Sequence, residues 1–242
     1  MADIRSCSYT YTFYDLGIST CYINISTTIL VGRKHIQLAP NIFHLPERMG
    51  LFTLIVLGET IFGLVSSLSD HEWSIESTIS IGAGLGIAFS LWWVYFDSIY
   101  CTVIRAFREK VRIGVYTTWL FIHFPLVVGL VANTTGIKHV VSSAQNIAIS
   151  YTGELVICGS MSLCLLPIGV IQLCVANASV NAEKKRLMIQ GSAYRLIAGF
   201  VIVLIPIPTI VILPLVLILI ISVICIMQIL LDLRLHPHRR IF

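Results

Sequence analysis

The sequence predicts an all-α fold, a polytopic transmembrane helix bundle of six or seven spans, on three observations. Hydrophobic residues make up 57% of the 242 and charged residues only 12%, whereas an ordinary soluble domain is about a quarter charged. The mean hydropathy is +0.90. The apolar residues also come in runs of roughly 20, the length a helix needs to cross the hydrocarbon core. Together these argue against a soluble fold and for a single membrane domain over residues 1–242.

Taken in order, residues 1–15 are polar and aromatic, and residues 16–31 form a modest apolar stretch that carries Asn24, Ser26 and two threonines. Residues 49–68 make a clear span, followed by the acidic turn Asp70, His71, Glu72. The next span covers 75–97, a basic loop follows at 105–112, and 113–132 crosses again. Residues 149–175 are long enough to tilt. Residues 195–230 are then apolar over nearly twice the length of one crossing, with Pro206, Pro208 and Pro214 near the middle. Because proline cannot continue a helix interior without losing a hydrogen bond, a hairpin is expected there, joining spans at 191–207 and 209–231.

The net charge of +4 does not form a patch suited to nucleic acid; lysine and arginine fall in short clusters between apolar runs and report topology instead. Residues 32–48, 105–112, 184–195 and the tail from Arg234 carry the basic residues, Arg195 counted among them, and the intervening connections carry only Lys138. The expected arrangement is a multi-pass protein of the lipid bilayer with its basic loops and C-terminus on the cytoplasmic side. Asn133-Thr134-Thr135 then falls in an outside loop and forms a candidate glycosylation triplet. Cys21, Cys158, Cys164, Cys174 and Cys225 lie within apolar segments without a CxxC pair and read as small apolar fillers. No signal-peptide pattern opens the chain, so insertion is expected to rely on the first spans.

A charge in mid-membrane costs a few kcal/mol even on lenient scales, which makes such residues functional candidates. Glu59 lies at the centre of the second span, with Gly63 and Ser66 on its face, so a neighbouring helix or water can approach the carboxylate. Asp97 ends the third span on a stripe reading Gly82, Gly86, Ser90, Trp93, which is a helix-packing seam at helical spacing. His123 falls mid-span, one turn from Trp119 and two residues before Pro125, a position suited to a proton or ligand. Glu154 enters the fifth span. The alternative for each is a structural, hydrogen-bonded side chain. Trp92, Trp93 and Tyr95 read as an interfacial aromatic belt, and Glu47-Arg48 after Pro46 as a capped helix start. No P-loop, HExxH, GxSxG or paired CxxC is present, so no catalytic residue, metal site or cofactor is expected and the chain is not read as an enzyme.

The stretches His44-Leu-Pro-Glu-Arg-Met-Gly-Leu-Phe-Thr-Leu-Ile-Val-Leu-Gly-Glu-Thr60, Trp92-Trp-Val-Tyr-Phe-Asp97 and His123-Phe-Pro-Leu-Val-Val-Gly129 resemble the low temperature requirement A family of polytopic membrane proteins. The resemblance covers roughly residues 40–135, with the remaining spans alike only in hydropathy. It implies Glu47, Arg48, Gly58, Glu59, Trp93, Asp97, His123 and Pro125 as family-motif residues. It also implies a family whose molecular activity is poorly defined. Family members are usually longer and open on an acidic-aromatic motif, of which Phe13-Tyr-Asp-Leu16 is a faint echo; the chain therefore resembles the C-terminal half, and an oligomer or a missing N-terminal half is an expected partner. The expectation drawn from all of this is a transporter or permease, proton-coupled, for an unknown small solute or proton, with Glu59, His123 and Asp97 along the path. The competing expectation is a non-transporting structural or lipid-interacting membrane protein.

Overall fold

Among the described residues, six helices carry the chain back and forth. The structure is a computed structural model that describes residues 44–69, 74–96, 113–142, 150–178, 182–207 and 213–235. The helices are α1 (His44–Ser69), α2 (Ile75–Tyr95), α3 (Ile113–Ser142), α4 (Tyr151–Ala178), α5 (Ala182–Leu204) and α6 (Pro214–Leu235), all within one compact unit, Phe43–Phe242. The stretch 16–31, expected to be a first span, lies outside the described residues, as does Cys21.

Ser74 caps α2 by accepting from the Ser77 backbone N–H at 3.1 Å, which satisfies one of the orphan donors of the first turn. Between α5 and α6 the chain turns after Leu204, with the Ile205 and Ile207 N–H groups donating to Ile202 and Leu204. Pro206 stands in this turn and Pro214 is the first residue of α6, where its missing N–H has no helical partner to lose. The predicted hairpin is thus present, and Pro214 starts the last helix.

All six helices are long and apolar enough to cross a bilayer, so among the described residues the fold is an all-helical, six-span bundle. The outward surface carries Ile55 (69% exposed), Phe62 (67%) and Val223 (59%), side chains suited to acyl chains and not to water. α4 packs extensively on α3 and on α5, while α1 packs on α3 and α2 on α6.

Without a hydrophobic drive between helices in lipid, close approach depends on small residues. A Cβ added to Gly129 would lie 2.8 Å from the Leu163 carbonyl carbon, and one on Gly136 would lie 2.9 Å from Ile157 Cα. α3 therefore rests backbone to backbone on α4, running antiparallel to it. The seam expected along Gly82, Gly86 and Ser90 is only partly realised. Gly86 approaches Ser222 of α6 and Ser90 is buried, but Gly82 is exposed with nothing within 4 Å, and Gly84 is the glycine that fits against Ile137 and Leu64.

Two helix ends differ from the sequence expectation. The span expected to stop at residue 132 continues through Asn133 to Val141, so the Asn133 triplet and Lys138 belong to α3 and not to a loop. Thr134 explains the extension: its hydroxyl donates to Thr60 Oγ1 of α1 at 2.8 Å, giving a polar residue a partner inside the bundle. Asn133 is fully buried, which removes it as a glycosylation acceptor. Similarly, α5 starts at Ala182 and not at 191, so Arg195 is a residue of the helix interior and not of a basic loop. The cysteines Cys158, Cys164, Cys174 and Cys225 are free, and all but the half-buried Cys174 are buried.

Candidate functional site

His123 sits on α3, 3% exposed, with both ring nitrogens engaged. Its Nδ1 lies 2.7 Å from the Trp119 carbonyl, and since a carbonyl only accepts, Nδ1 carries the hydrogen and donates. In a neutral imidazole Nε2 is then the acceptor, and the Tyr95 hydroxyl of α2, 3.0 Å away, donates to it. The Trp119 ring meets the imidazole edge-on with centroids 4.5 Å apart. In that neutral form the imidazole has its hydrogen-bonding capacity filled. It can take up a proton at Nε2 only if Tyr95 first turns its hydroxyl hydrogen away. Phe89, Trp92, Trp93 and Phe96 form a run of ring contacts at the end of α2, and Phe96 meets the Tyr95 ring.

A second polar group lies between α4, α5 and α6. The Arg195 guanidinium donates to the Asp232 carboxylate, and both residues are buried, at 1% and 4% exposure. Gln172 of α4 is 2% exposed, and its Oε1 has no hydrogen-bond partner among the described residues. Gly191 admits their close approach: a Cβ there would stand 2.9 Å from Gln172 Nε2 and 3.5 Å from both Gln172 Oε1 and Asp232 Oδ1. One residue on, Ser192 donates to the Gly169 carbonyl at 2.7 Å and ties α5 to α4.

The two clusters occupy one depth. Gly129 against Leu163 and Gly136 against Ile157 fix the antiparallel register of α3 and α4, and continuing it sets Gln172 level with residue 121, between Trp119 and His123. α1 runs parallel to α3, with Thr60 beside Thr134 and Gly63 beside Lys138, so Glu47 and Arg48 reach the same level. A layer near one end of the bundle thus holds Tyr95, His123, Gln172, Arg195 and Asp232 in the interior, with Glu47 and Arg48 exposed on α1.

Of the site residues expected from sequence, His123 is in this layer, and Trp93 is part-buried in the aromatic run beside it. Pro125 lies within α3 one turn or less from His123. Asp97 lies outside the described residues. Glu59 is not part of the layer: it is exposed on α1, as is Gly58, which has nothing within 4 Å. The α1–α3 register sets Glu59 about 15 Å from His123 in depth, ten residues at helical rise. Gly63 does admit a close neighbour, the side chains of Thr134 and Lys138, while Glu59 one turn earlier is exposed. Glu154 is buried in the first turn of α4, and its Oε1 has no partner among the described residues. No group of three or more potential metal ligands comes together among the described residues.

Sequence reasoning missed Gln172, Arg195 and Asp232. Hydropathy assigns an arginine near a basic cluster to the loop, and it places an aspartate close to a basic tail at the membrane edge. The available signal was separation: Arg195 stands nine residues beyond Arg186, with apolar residues on both sides. The sequence model described as "Bacterial low temperature requirement A protein (LtrA)" matches residues 12–231, reaching well past the stretch that carries the three motifs. No curated protein and no solved structure matches the chain.

Proposed function

The chain belongs to the bacterial low temperature requirement A family, and on that premise we propose that its six-span bundle is a proton-coupled transporter or permease for a small solute. The observation that carries the reading is the layer of buried polar side chains drawn from five helices, an arginine–aspartate pair among them. Ionisable groups held inside membrane spans are expensive, and they mark substrate or proton pathways. The motif residues Glu47, Arg48 and His123 lie at the same level, which supports assigning the layer a role in the family's activity. In this reading the basic loops and the C-terminus face the cytoplasm, and the layer sits toward that side. The protein is not read as an enzyme: an acid–base pair of Glu59 and His123 would need a common substrate position, and their separation in depth argues against one.

A non-transporting structural role is favoured by one observation, the completed hydrogen bonding of neutral His123. Reconstitution into liposomes with an internal pH-sensitive dye separates the two. If the bundle transports, wild type moves protons down an imposed gradient, Asp232→Asn abolishes the movement, and Glu59→Gln, outside the layer, leaves most of it. Equal dye response in wild type, Asp232→Asn and empty liposomes refutes transport.

A further inference from the structure

We propose that Glu154 is a proton-binding carboxyl at the end of the bundle opposite the Arg195 layer, reached by water from that end and turned toward Ser80 of α2. Glu154 is 6% exposed in the first turn of α4, and its Oε1 has no hydrogen-bond partner among the described residues. It forms no ion pair among them either. Ser80 is fully buried, and its Oγ is likewise without a partner there. Buried polar atoms that no protein group satisfies are where water binds.

The helix faces bring the two residues together. α4 meets α3 at Ile157 and Leu163, and it meets α5 at Leu166 and Gly169. Between those sides runs a buried stripe at helical spacing, Glu154, Cys158, Met161, Leu165, Ile168 and Gln172, which is turned to the interior. On α2, Gly84 and Tyr95 lie against α3 and Gly86 lies against α6; the buried stripe between them holds Ser80, Ile87 and Leu91. α2 and α4 touch. The contacts of Tyr95 with His123 and of Gly84 with Ile137 set Ser80 level with the turn of α3 from Lys138 to Val141, and Gly136 against Ile157 sets Glu154 level with His139.

In the step itself, a proton carried by water adds to the Glu154 carboxylate, and the site passes from one negative charge to none. A neutral acid donates and accepts, as the Ser80 hydroxyl does, so water can be shared by both in either charge state. Glu154 stands three residues from the start of α4, about 5 Å at helical rise, which makes the path from the surface short. The ionisable groups packed around this end are Lys138 and His139 of α3 and Glu76 of α2, all exposed; the described parts of α1, α5 and α6 at this depth carry none. Inward, Asn133 is the next group without a partner among the described residues, fully buried with both amide atoms unbonded and about 9 Å deeper, six residues at helical rise. Below it Met161, Leu165 and Ile168 of α4 and Leu126 and Leu130 of α3 are all buried and apolar. This plug separates Glu154 from the Arg195 layer, so the proton reaches the carboxyl from its own end.

The inference deepens the transport reading by naming where a proton enters from the other side, and its test uses neither gradient nor solute, so the two can fail separately. The full chain is purified in detergent, titrated, and followed by infrared difference spectra. A protonated-carboxyl band should titrate in wild type, persist in Asp232→Asn and disappear in Glu154→Gln. Transfer to D2O should shift that band in the first spectrum recorded, because water reaches the acid directly. Ser80→Ala should move the band by changing the hydrogen bonding of the carboxyl. Asn133→Leu, deeper than the carboxyl, should leave the exchange rate as in wild type. The proposal is overturned if Glu154→Gln loses no band, if the band does not exchange, if Ser80→Ala leaves its position unchanged, or if Asn133→Leu slows the exchange. If Glu154→Gln does not fold, Glu154→Asp decides in its place, by shifting the band or leaving it where it was.

Discussion

Replacing Gly129 with alanine sets a methyl group 2.8 Å from the Leu163 carbonyl carbon, 2.9 Å from its oxygen and 3.0 Å from the Cys164 nitrogen. All three are backbone atoms, so no side-chain rotation relieves the contact. Carbon atoms pack at roughly 3.5–4.0 Å, and α3 and α4 must separate by close to 1 Å along their longest shared interface. Overpacking of this kind costs about 1–3 kcal/mol. For a chain of this size that corresponds to a melting temperature lower by roughly 3 to 10 °C. Gly82→Ala is the matched control, because nothing lies within 4 Å of its added Cβ. Alanine also exceeds glycine in helix propensity by about 1 kcal/mol, so this variant should melt at or above wild type. The assay is thermal unfolding of the purified protein in one detergent, followed by circular dichroism. The reasoning is refuted if Gly82→Ala loses as much as Gly129→Ala, or if Gly129→Ala melts with wild type.

Further outcomes follow from single contacts. Thr60→Val should lose about 0.6 kcal/mol, the mean for an interhelical hydrogen bond in a membrane; adding Thr134→Val should cost little more, and two additive losses in chemical-denaturation curves would contradict the shared bond. His123→Phe should destabilise by about 1–3 kcal/mol because it removes the buried hydrogen bond with the Tyr95 hydroxyl. The double change with Tyr95→Phe should recover part of that loss in the same melts. Asn133 should stay unglycosylated when the chain is translated with microsomes; an endoglycosidase-sensitive shift that disappears in Asn133→Gln would place the residue outside α3.

The crossings themselves were legible because the cost of exposing backbone and charge to lipid is paid residue by residue along the chain, and a hydropathy run registers it directly. Two ends were not. The polar run Asn133-Thr134-Thr135 and the basic residues from Lys184 to Arg195 look like loops to any local sum. Both are helical, and Thr60 and Asp232, far away in sequence, supply partners inside the bundle for Thr134 and Arg195. The same holds for glycines. Gly82 and Gly129 are equivalent in a window of apolar neighbours, and only the position of α4 makes one of them a contact and the other a bare surface.

For the site, cost alone selected Glu59 and His123 as unusual, and it placed both near mid-membrane. It could not say which way each pointed. These helices are apolar nearly all round, so no polar face betrays the direction of the bundle, and the structure turns His123 inward onto Tyr95 while leaving Glu59 exposed. By itself the sequence determined a multi-pass helical membrane protein, its hairpin at Pro206 to Pro214 and the family its motifs resemble, since all three rest on local composition and order. Tertiary structure alone decided that Arg195 and Asp232 are partners, that Gln172 stands beside them, and that these share a depth with His123. Those relations depend on helix register and rotation, which are set by contacts between segments far apart in the chain.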